Sequence, residues 1–411
     1  MNIIFYRYNS ICEPDFIDAF EKFGFQVTQI TEEIRRKDLT NEERVDLISR
    51  AIRDSYDRKD IPFFIFSINF FPVISMVCER LGMFYVCVSV DCPVAEIYSY
   101  TIRNPHNRVF LFDKKQWESV KDENPGNIHY LPLGAAVERM DSIPAPKSYD
   151  YDVSFIGSLY TEKDRYADLK KAGAIDKSAL EHLEYLIEEQ RKAAGFGLDI
   201  IEEKLTDEDI RAIRKADPSF YNDPEAIIDM DRFLVINNYL GNHLTSLDRI
   251  DILNRLAEGL PEGSVHLFTR SDTSALNPKV VVHGGVESLT EMPDVFRRTM
   301  VNLNLTSRTI QDGLPQRIWD ILGSDSFCLT TDCTAFREIQ HVRDHVGLLR
   351  YPEEIVEVCE TYLDDHDRRI KMNEDGYETV KATETVYARV QEILKRILPG
   401  IYEEMKSKYV K

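Results

Sequence analysis

The run from Phe63 to Ile68, FFIFSI, shows no alternation of apolar and polar positions. A strand with one wet face would alternate. A continuous apolar stretch of this length suits a parallel strand covered on both faces. The flanking sequence repeats the theme. Asn2 to Arg7, Phe25 to Ile30, Phe84 to Val90, Arg108 to Phe112 and Ile128 to Leu133 read as further strands, with helices at Pro14 to Phe23, Asn41 to Arg58 and Pro72 to Arg80 between them. Strands that alternate with helices imply a doubly wound parallel sheet, and such sheets bind ligands outside the carboxyl ends of their strands. Ser67 and Asn69 end the third strand and Asp91 ends the fourth, so all three stand on the functional edge. For Asp91 two readings stand: a ligand-facing carboxylate, or a cap or turn before Pro93.

A chain of 411 residues is too long for one hydrophobic core. The stretch RMDSIPAPKSYDY, with two prolines and few apolar residues, separates a first domain over 1–140 from a second over 150–386, with a C-terminal helix from about 387 to 411 packing back on the first. Asp152 to Ile156 restarts the pattern and ends in Gly157 and Ser158. A charged, mostly helical insertion over about 161–255 then interrupts it, and the series resumes at Val265 to Thr269 (followed by Arg270) and Val280 to His283 (followed by Gly284 and Gly285). A helix at Asp294 to Thr299, strands at Val301 to Leu305 and Ser326 to Thr330, and a last strand at Val346 to Arg350 follow. Gly157 and Gly284 read as close-approach points or as simple turns, and His283 as a ligand contact or a structural histidine.

The densest chemistry lies in Met300 to Glu338. Thr306, Ser307 and Arg308 gather at the end of one strand. The loop through Asp312, Gly313, Leu314 and Pro315 feeds a helix whose free N–H groups make a ready anion site. Asp312 opens the turn and Asp320 lies further along the helix, so that one carboxylate can meet a sugar and the other a vicinal diol such as ribose. The competing reading pairs Asp320 with Arg317 on a wet helix face.

A formal charge of -20 argues against a nucleic-acid partner, which needs a surplus of Lys and Arg. No apolar run approaches a transmembrane span, and MNIIFYRYNS is not a basic stretch followed by a long apolar one, so a cytoplasmic location is expected. The seven cysteines contain no CxxC pair and read as reduced thiols. Asp229-Met230-Asp231 is a lone DxD in an acidic chain, and His341 and His345 lack an evident third ligand, so no metal site is expected.

Beyond these patterns the chain resembles a known family. FSINFFPVISMVCERLGMFYVCVSVDCP, RNPHNRVFLFD and PGNIHYLPLGA are similar to the N-terminal domain of the CgeB-like bacterial glycosyltransferases. VSFIGSLYTEKDRY, EMPDVFRRTMVNLNLTSRTIQDGLPQRIWDILGSDSF and DDHDRRIKMNEDGYETV resemble their C-terminal, glycosyltransferase-group-1-like domain. The resemblance implies a GT-B fold, two Rossmann-like domains facing across a cleft, with a nucleotide-sugar as co-substrate, a UDP-sugar for preference, and no other cofactor. It implies that the second domain binds the donor and that the first contacts an unidentified acceptor, whether glycan, protein or small molecule. Asp312 and Asp320 then stand where the wider class carries two carboxylates eight positions apart, both as Asp rather than the commoner Glu. GSDSF replaces a glycine-rich segment, which places Asp325 where an inward-facing carboxylate would repel a phosphate. Donor contacts are expected from Gly157, Ser158, Arg270, His283, Gly284, Ser307, Arg308, Gly313, Leu314, Pro315, Arg317 and Asp320, and chemistry from Asp91 and Asp312. Two rivals remain: a nucleotide-sugar epimerase of the same fold, and a non-catalytic nucleotide-sugar binder.

Overall fold

In the computed structural model the described residues are 1–221, 225–400 and 402–403. They form two compact units, one from Met1–Arg139 with the chain from Ala382 onward, the other from Met140–Lys381.

The first unit holds six parallel strands, β1 (Asn2–Tyr6), β2 (Gln26–Ile30), β3 (Pro62–Ile68), β4 (Phe84–Val88), β5 (Asn107–Leu111) and β6 (Ile128–Tyr130), in the order β2-β1-β3-β4-β5-β6. The uninterrupted apolar run of β3 is explained by its central place, with β1 on one side and β4 on the other. On one face of the sheet Phe16, Phe20, Phe64 and Phe66 pack with Val390, Ile393 and Leu394 of the C-terminal helix Val386–Ile397, so that helix is part of this unit's core. Tyr387 stacks on Phe23 with ring centres 4.3 Å apart. The chain crosses at Gly134, where a Cβ would lie 2.8 Å from the Thr385 backbone, so only glycine fits the approach. The part of the expected C-terminal helix at 401 and beyond 403 lies outside the described residues.

The second unit has its own six parallel strands, β7 (Tyr151–Ile156), β8 (Val265–Phe268), β9 (Val281–His283), β10 (Thr299–Asn304), β11 (Cys328–Thr331) and β12 (Gly347–Leu349), ordered β12-β11-β10-β7-β8-β9. Between β7 and β8 come the helices Arg165–Lys171, Lys177–Lys192, Asp199–Lys204 and Asp207–Ala216, then a long helical run from Met230 to Gly259 with a wider π-helical stretch at Val235–Gly241. These helices have a core of their own, built from residues such as Leu183, Leu186, Ile213 and Leu240.

The expected helix at Asp294 to Thr299 instead spans Glu291–Arg297, and Thr299 already belongs to β10. Pro293 sits in the first turn of that helix, where the missing N–H is no loss.

The two strand orders mark where the winding reverses. In the first sheet the winding direction reverses between β1 and β3, and in the second between β7 and β10. Loops leave in opposite directions at such switch points, and the crevice they open lies outside the carboxyl ends of the strands. Among the described residues no helix is long and apolar enough to cross a membrane.

Candidate functional site

At the β7/β10 switch point the two strand ends are tied together by one side chain from the long helix. Arg249 donates from Nε (3.1 Å) and Nη2 (2.6 Å) to the carbonyl of Leu305, just past β10, and from Nη1 (2.6 Å) to the carbonyl of Ser158, just past β7. Its guanidinium also lies 4.6 Å from the Tyr160 ring centre. Burial pushes this guanidinium below its ordinary value; the charge of Arg317 adds to the push, while Tyr160 and Asp248 oppose it. Among the described residues neither Arg249 nor Arg317 has a carboxylate in ion-pair range. A buried cation with no carboxylate in ion-pair range is stabilised by an incoming anion.

The same helix grips the turn after β10. Thr245 Oγ1 accepts from the Arg308 backbone N–H at 3.0 Å and meets Ser307 Oγ at 3.2 Å, and Ser307 Oγ meets Thr309 Oγ1 at 2.9 Å. A Cβ on Gly241 would lie 2.9 Å from Thr309 Cγ2, so this glycine lets helix and turn close up. The expectation that Arg308 faces the donor is corrected here. Arg308 is 1% exposed and makes a double hydrogen bond to Asp248, Nε to Oδ2 at 2.6 Å and Nη2 to Oδ1 at 3.2 Å, with a third to Gly197 O at 3.1 Å. Its charge is already met, so it is a fastening between helix and turn.

Beyond the turn the chain runs to the helix Gln316–Gly323. Asp312 accepts from Thr334 Oγ1 at 2.5 Å, Gly313 and Leu314 are buried, and Pro315 occupies the cap position immediately before the helix. Asp320 is 5% exposed and accepts from Gln316 Nε2 at 3.0 Å, which removes it from a wet face. Arg317 lies over the Phe296 ring at 5.5 Å, and burial pushes its charge down while Asp320 opposes that push. Within this one short stretch stand the N-terminal turn of a helix, two carboxylates and an arginine that, among the described residues, has no paired carboxylate.

Asp325 stands at the opposite end of this helix. Eight residues span about 12 Å, so GSDSF is a helix stop and not part of the N-terminal loop. Asp325 adopts φ 54° and its N–H bonds to Leu322 O at 3.1 Å, a left-handed cap that glycine fills without strain. Desolvation raises the Asp325 carboxyl above its ordinary value, with Arg297 opposing. A raised folded-state value means that ionisation costs stability as pH climbs through it. Asp325→Gly is therefore expected to stabilise the second unit by about 1 kcal/mol, with a larger gain at neutral pH than at acid pH, read by urea unfolding at the two pH values. Equal or lower stability at neutral pH would refute this account of the cap.

The remaining expected residues divide. Gly157 donates its N–H to Phe268 O at 3.0 Å, and a Cβ there would come 3.1 Å from the Phe155 ring, so its smallness serves packing. Ser158 Oγ is spent inside its own loop, on Tyr160 N (2.7 Å) and Glu162 Oε1 (2.5 Å). Arg270 is exposed and its side chain covers Gly285, where a Cβ would lie 2.6 Å from Nε; Gly284 has nothing within 4 Å, so the close approach belongs to its neighbour. His283 Nε2 is 3.1 Å from His266 Nδ1 and its ring stacks on Phe268 at 4.3 Å, with burial lowering its proton affinity. It reads as the structural histidine of the two alternatives. Asp229 caps its helix through Arg232 N at 3.1 Å, and Asp231 pairs with Arg214, which gives the DxD a structural role.

In the first unit the β1/β3 switch point carries its own polar group. Asn69, at φ 56°, donates from Nδ2 to Asp91 Oδ2 at 2.7 Å and to Tyr8 Oη at 2.9 Å, while its Oδ1 accepts from Val90 N at 3.0 Å. Burial raises the Tyr8 hydroxyl well above its ordinary value, and the Asp91 charge adds to the shift. Asp91 is exposed beside it. Ser67 is fully buried; its hydroxyl bonds Asn69 O (2.7 Å) and Tyr85 Oη (2.6 Å), so it supports Asn69. Tyr8, Thr245, Asp248 and Arg249 escaped the sequence reading. Tyr8 had a usable signal, two residues past the end of a strand at the sheet's reversal; the others sit in a helix whose charges look like a solvated face.

Residues 249–395 match the family model described as glycosyl transferase-like. No curated protein matches the chain in sequence. Solved structures share its fold: HepE of Anabaena in complex with UDP and glucose (8% identity, TM-score 0.54, covering 96% of this chain and 98% of that one), and sucrose-phosphate synthase from Thermosynechococcus elongatus (10% identity, TM-score 0.54, 99% of each chain). WaaG, a glycosyltransferase involved in lipopolysaccharide biosynthesis, is similar at 12% identity and TM-score 0.51 over 97% of this chain and 100% of that one. The chain thus has the two-sheet GT-B fold of glycosyltransferases, and the residues that match the glycosyl transferase-like model include β8 to β12 but not β7.

Proposed function

We propose that this protein transfers a sugar, a hexosyl or related group, from a nucleotide-sugar to an acceptor, without an essential metal ion. The observation that carries the reading is the β7/β10 switch point, where Arg249, with no carboxylate in ion-pair range among the described residues, ties the strand ends from which the chain runs through the Asp312 loop into the helix Gln316–Gly323. Departure of a nucleoside diphosphate builds negative charge, and preorganised N–H groups with the field of Arg249 and Arg317 stabilise that charge without reorganisation. Asp320 is assigned to the ribose diol and Asp312 to the transferred sugar. Thr334 donates to Asp312 and so fixes its orientation. Tyr8, Asn69 and Asp91 of the first unit are assigned to the acceptor. A uridine nucleotide is preferred because the structural neighbour HepE holds UDP together with glucose.

The test is a thermal-shift series with nucleotides and nucleotide-sugars on wild type and Asp320→Ala, each measured from its own baseline. A ligand at a hundredfold excess over Kd adds about 2.7 kcal/mol, so UDP or a UDP-sugar is expected to raise the wild-type Tm by several degrees, and Asp320→Ala to lose most of that rise. A wild type that no nucleotide shifts, or an Asp320→Ala protein with the full shift, would sink the donor assignment. Mass spectrometry of candidate acceptors incubated with the best donor then reads transfer itself.

A further inference from the structure

A cavity of about 440 Å³ opens within the second unit at the carboxyl ends of β11 and β12. Its wall includes Arg337, Arg343, Arg350, Tyr351 and Asp332, together with Gly195 of the helical insertion. Three arginines lining one cavity are unexpected in a chain of charge -20. Only one is answered from within: Asp332 Oδ2 lies 3.5 Å from Arg350 Nε, a loose contact. Among the described residues Arg337 and Arg343 have no carboxylate in ion-pair range. Clustered cations without counter-charge repel one another, and the planar fork of arginine matches carboxylate and phosphate oxygens in pairs. Tyr351, 39% exposed, offers a flat apolar face of the kind that sugar rings cover.

The cavity adjoins the loop already described. Thr334 lines it, and the hydroxyl of Thr334 is the donor to Asp312. In the sheet, β7, β8 and β9 lie on one side of β10, while β11 and β12 lie on the other. A nucleotide held at the β7/β10 edge with its sugar at Asp312 leaves the arginine cavity on the sugar's far side.

We infer that this cavity is an anion subsite for the sugar substrates: it takes a carboxylate or phosphate borne by the transferred or the accepting sugar, and so selects an acidic sugar. The inference rests on the reading that Asp312 faces the transferred sugar.

Equilibrium binding on the full chain tests it with UDP, UDP-glucose, UDP-glucuronic acid, and glucose and glucose 6-phosphate added in the presence of UDP. The proteins are wild type, Arg337→Gln/Arg343→Gln, and the single reversal Arg337→Glu, which changes an exposed side chain and leaves the core untouched. A charge-assisted hydrogen bond corresponds to about tenfold or more in affinity. If the donor carries the anion, UDP-glucuronic acid binds wild type at least about tenfold more tightly than UDP-glucose. If the acceptor carries it, glucose 6-phosphate shows that preference over glucose. In either case both variants lose the preference and keep their affinity for UDP. Normal UDP binding with no anion preference on either arm, or a preference that survives in both variants, overturns the subsite alone. Failure of UDP to bind wild type overturns the donor reading, and the subsite assignment falls with it.

Discussion

Asp248→Ala is expected to destabilise the second unit by about 3–5 kcal/mol, because it leaves the Arg308 guanidinium buried and unpaired. Both side chains are nearly inaccessible, 1% for Arg308 and 7% for Asp248, so water cannot take over the lost contacts. Trp319 is fully buried in this unit and Trp117 lies in the other, so Trp319 fluorescence in a Trp117→Phe background reports on urea unfolding of the unit concerned. The double variant Asp248→Leu/Arg308→Met is expected to recover most of the loss, since replacing a whole buried pair by apolar groups of similar volume is often neutral. That variant also separates two roles for Arg308. If it still shows the nucleotide-induced rise in Tm, Arg308 is a fastening; if the rise disappears while the fold is kept, Arg308 meets the donor after all. A single variant that loses less than about 1 kcal/mol would show that the pair is not closed off from solvent as described.

The pair also explains what could be read from the chain and what could not. FFIFSI announced a central parallel strand because burial on both faces leaves a local mark, an apolar run without alternation. The helix that follows Asp312 was legible for a related reason, since loop, proline and apolar stripe all lie within a dozen positions. Asp248 and Arg249 left no such mark. In SLDRIDILNRLAEGL they look like the wet side of an amphipathic helix, yet one is buried against Arg308, sixty positions further on, and the other ties Ser158 to Leu305. A partner that distant in sequence is decided by topology, and helical periodicity carries no information about it. Ser67 and Arg308 show the same limit. Each stands at a strand's carboxyl end, as a ligand-facing residue should, but its hydrogen bonds are already taken by protein groups. Position at the edge marks where a site lies; only the accounting of partners shows which side chains are left for a ligand.

Asp91→Asn is expected to lower kcat about a hundredfold or more while leaving the nucleotide-induced rise in Tm intact. Asp91 belongs to the first unit and the donor edge to the second, so binding of the nucleotide and delivery of the acceptor are separable in mutants. The amide oxygen of the new side chain can still accept from Asn69 Nδ2, now 2.7 Å from the carboxylate, so the local geometry is kept and the charge alone is lost. A positioned carboxylate that takes the acceptor's proton in the transition state contributes typically about 10²–10⁴-fold. Asn69→Ala should act in the same direction through position, since it removes the group that holds both Asp91 and Tyr8. If Asp91→Asn leaves kcat unchanged with an identified acceptor, Asp91 is not the base. The stereochemistry of the product then becomes the deciding measurement, because transfer with retention needs no protein base whereas inversion does. Loss of the nucleotide shift in Asp91→Asn would instead place donor contacts on the first unit, against the division of labour assigned to the two sheets.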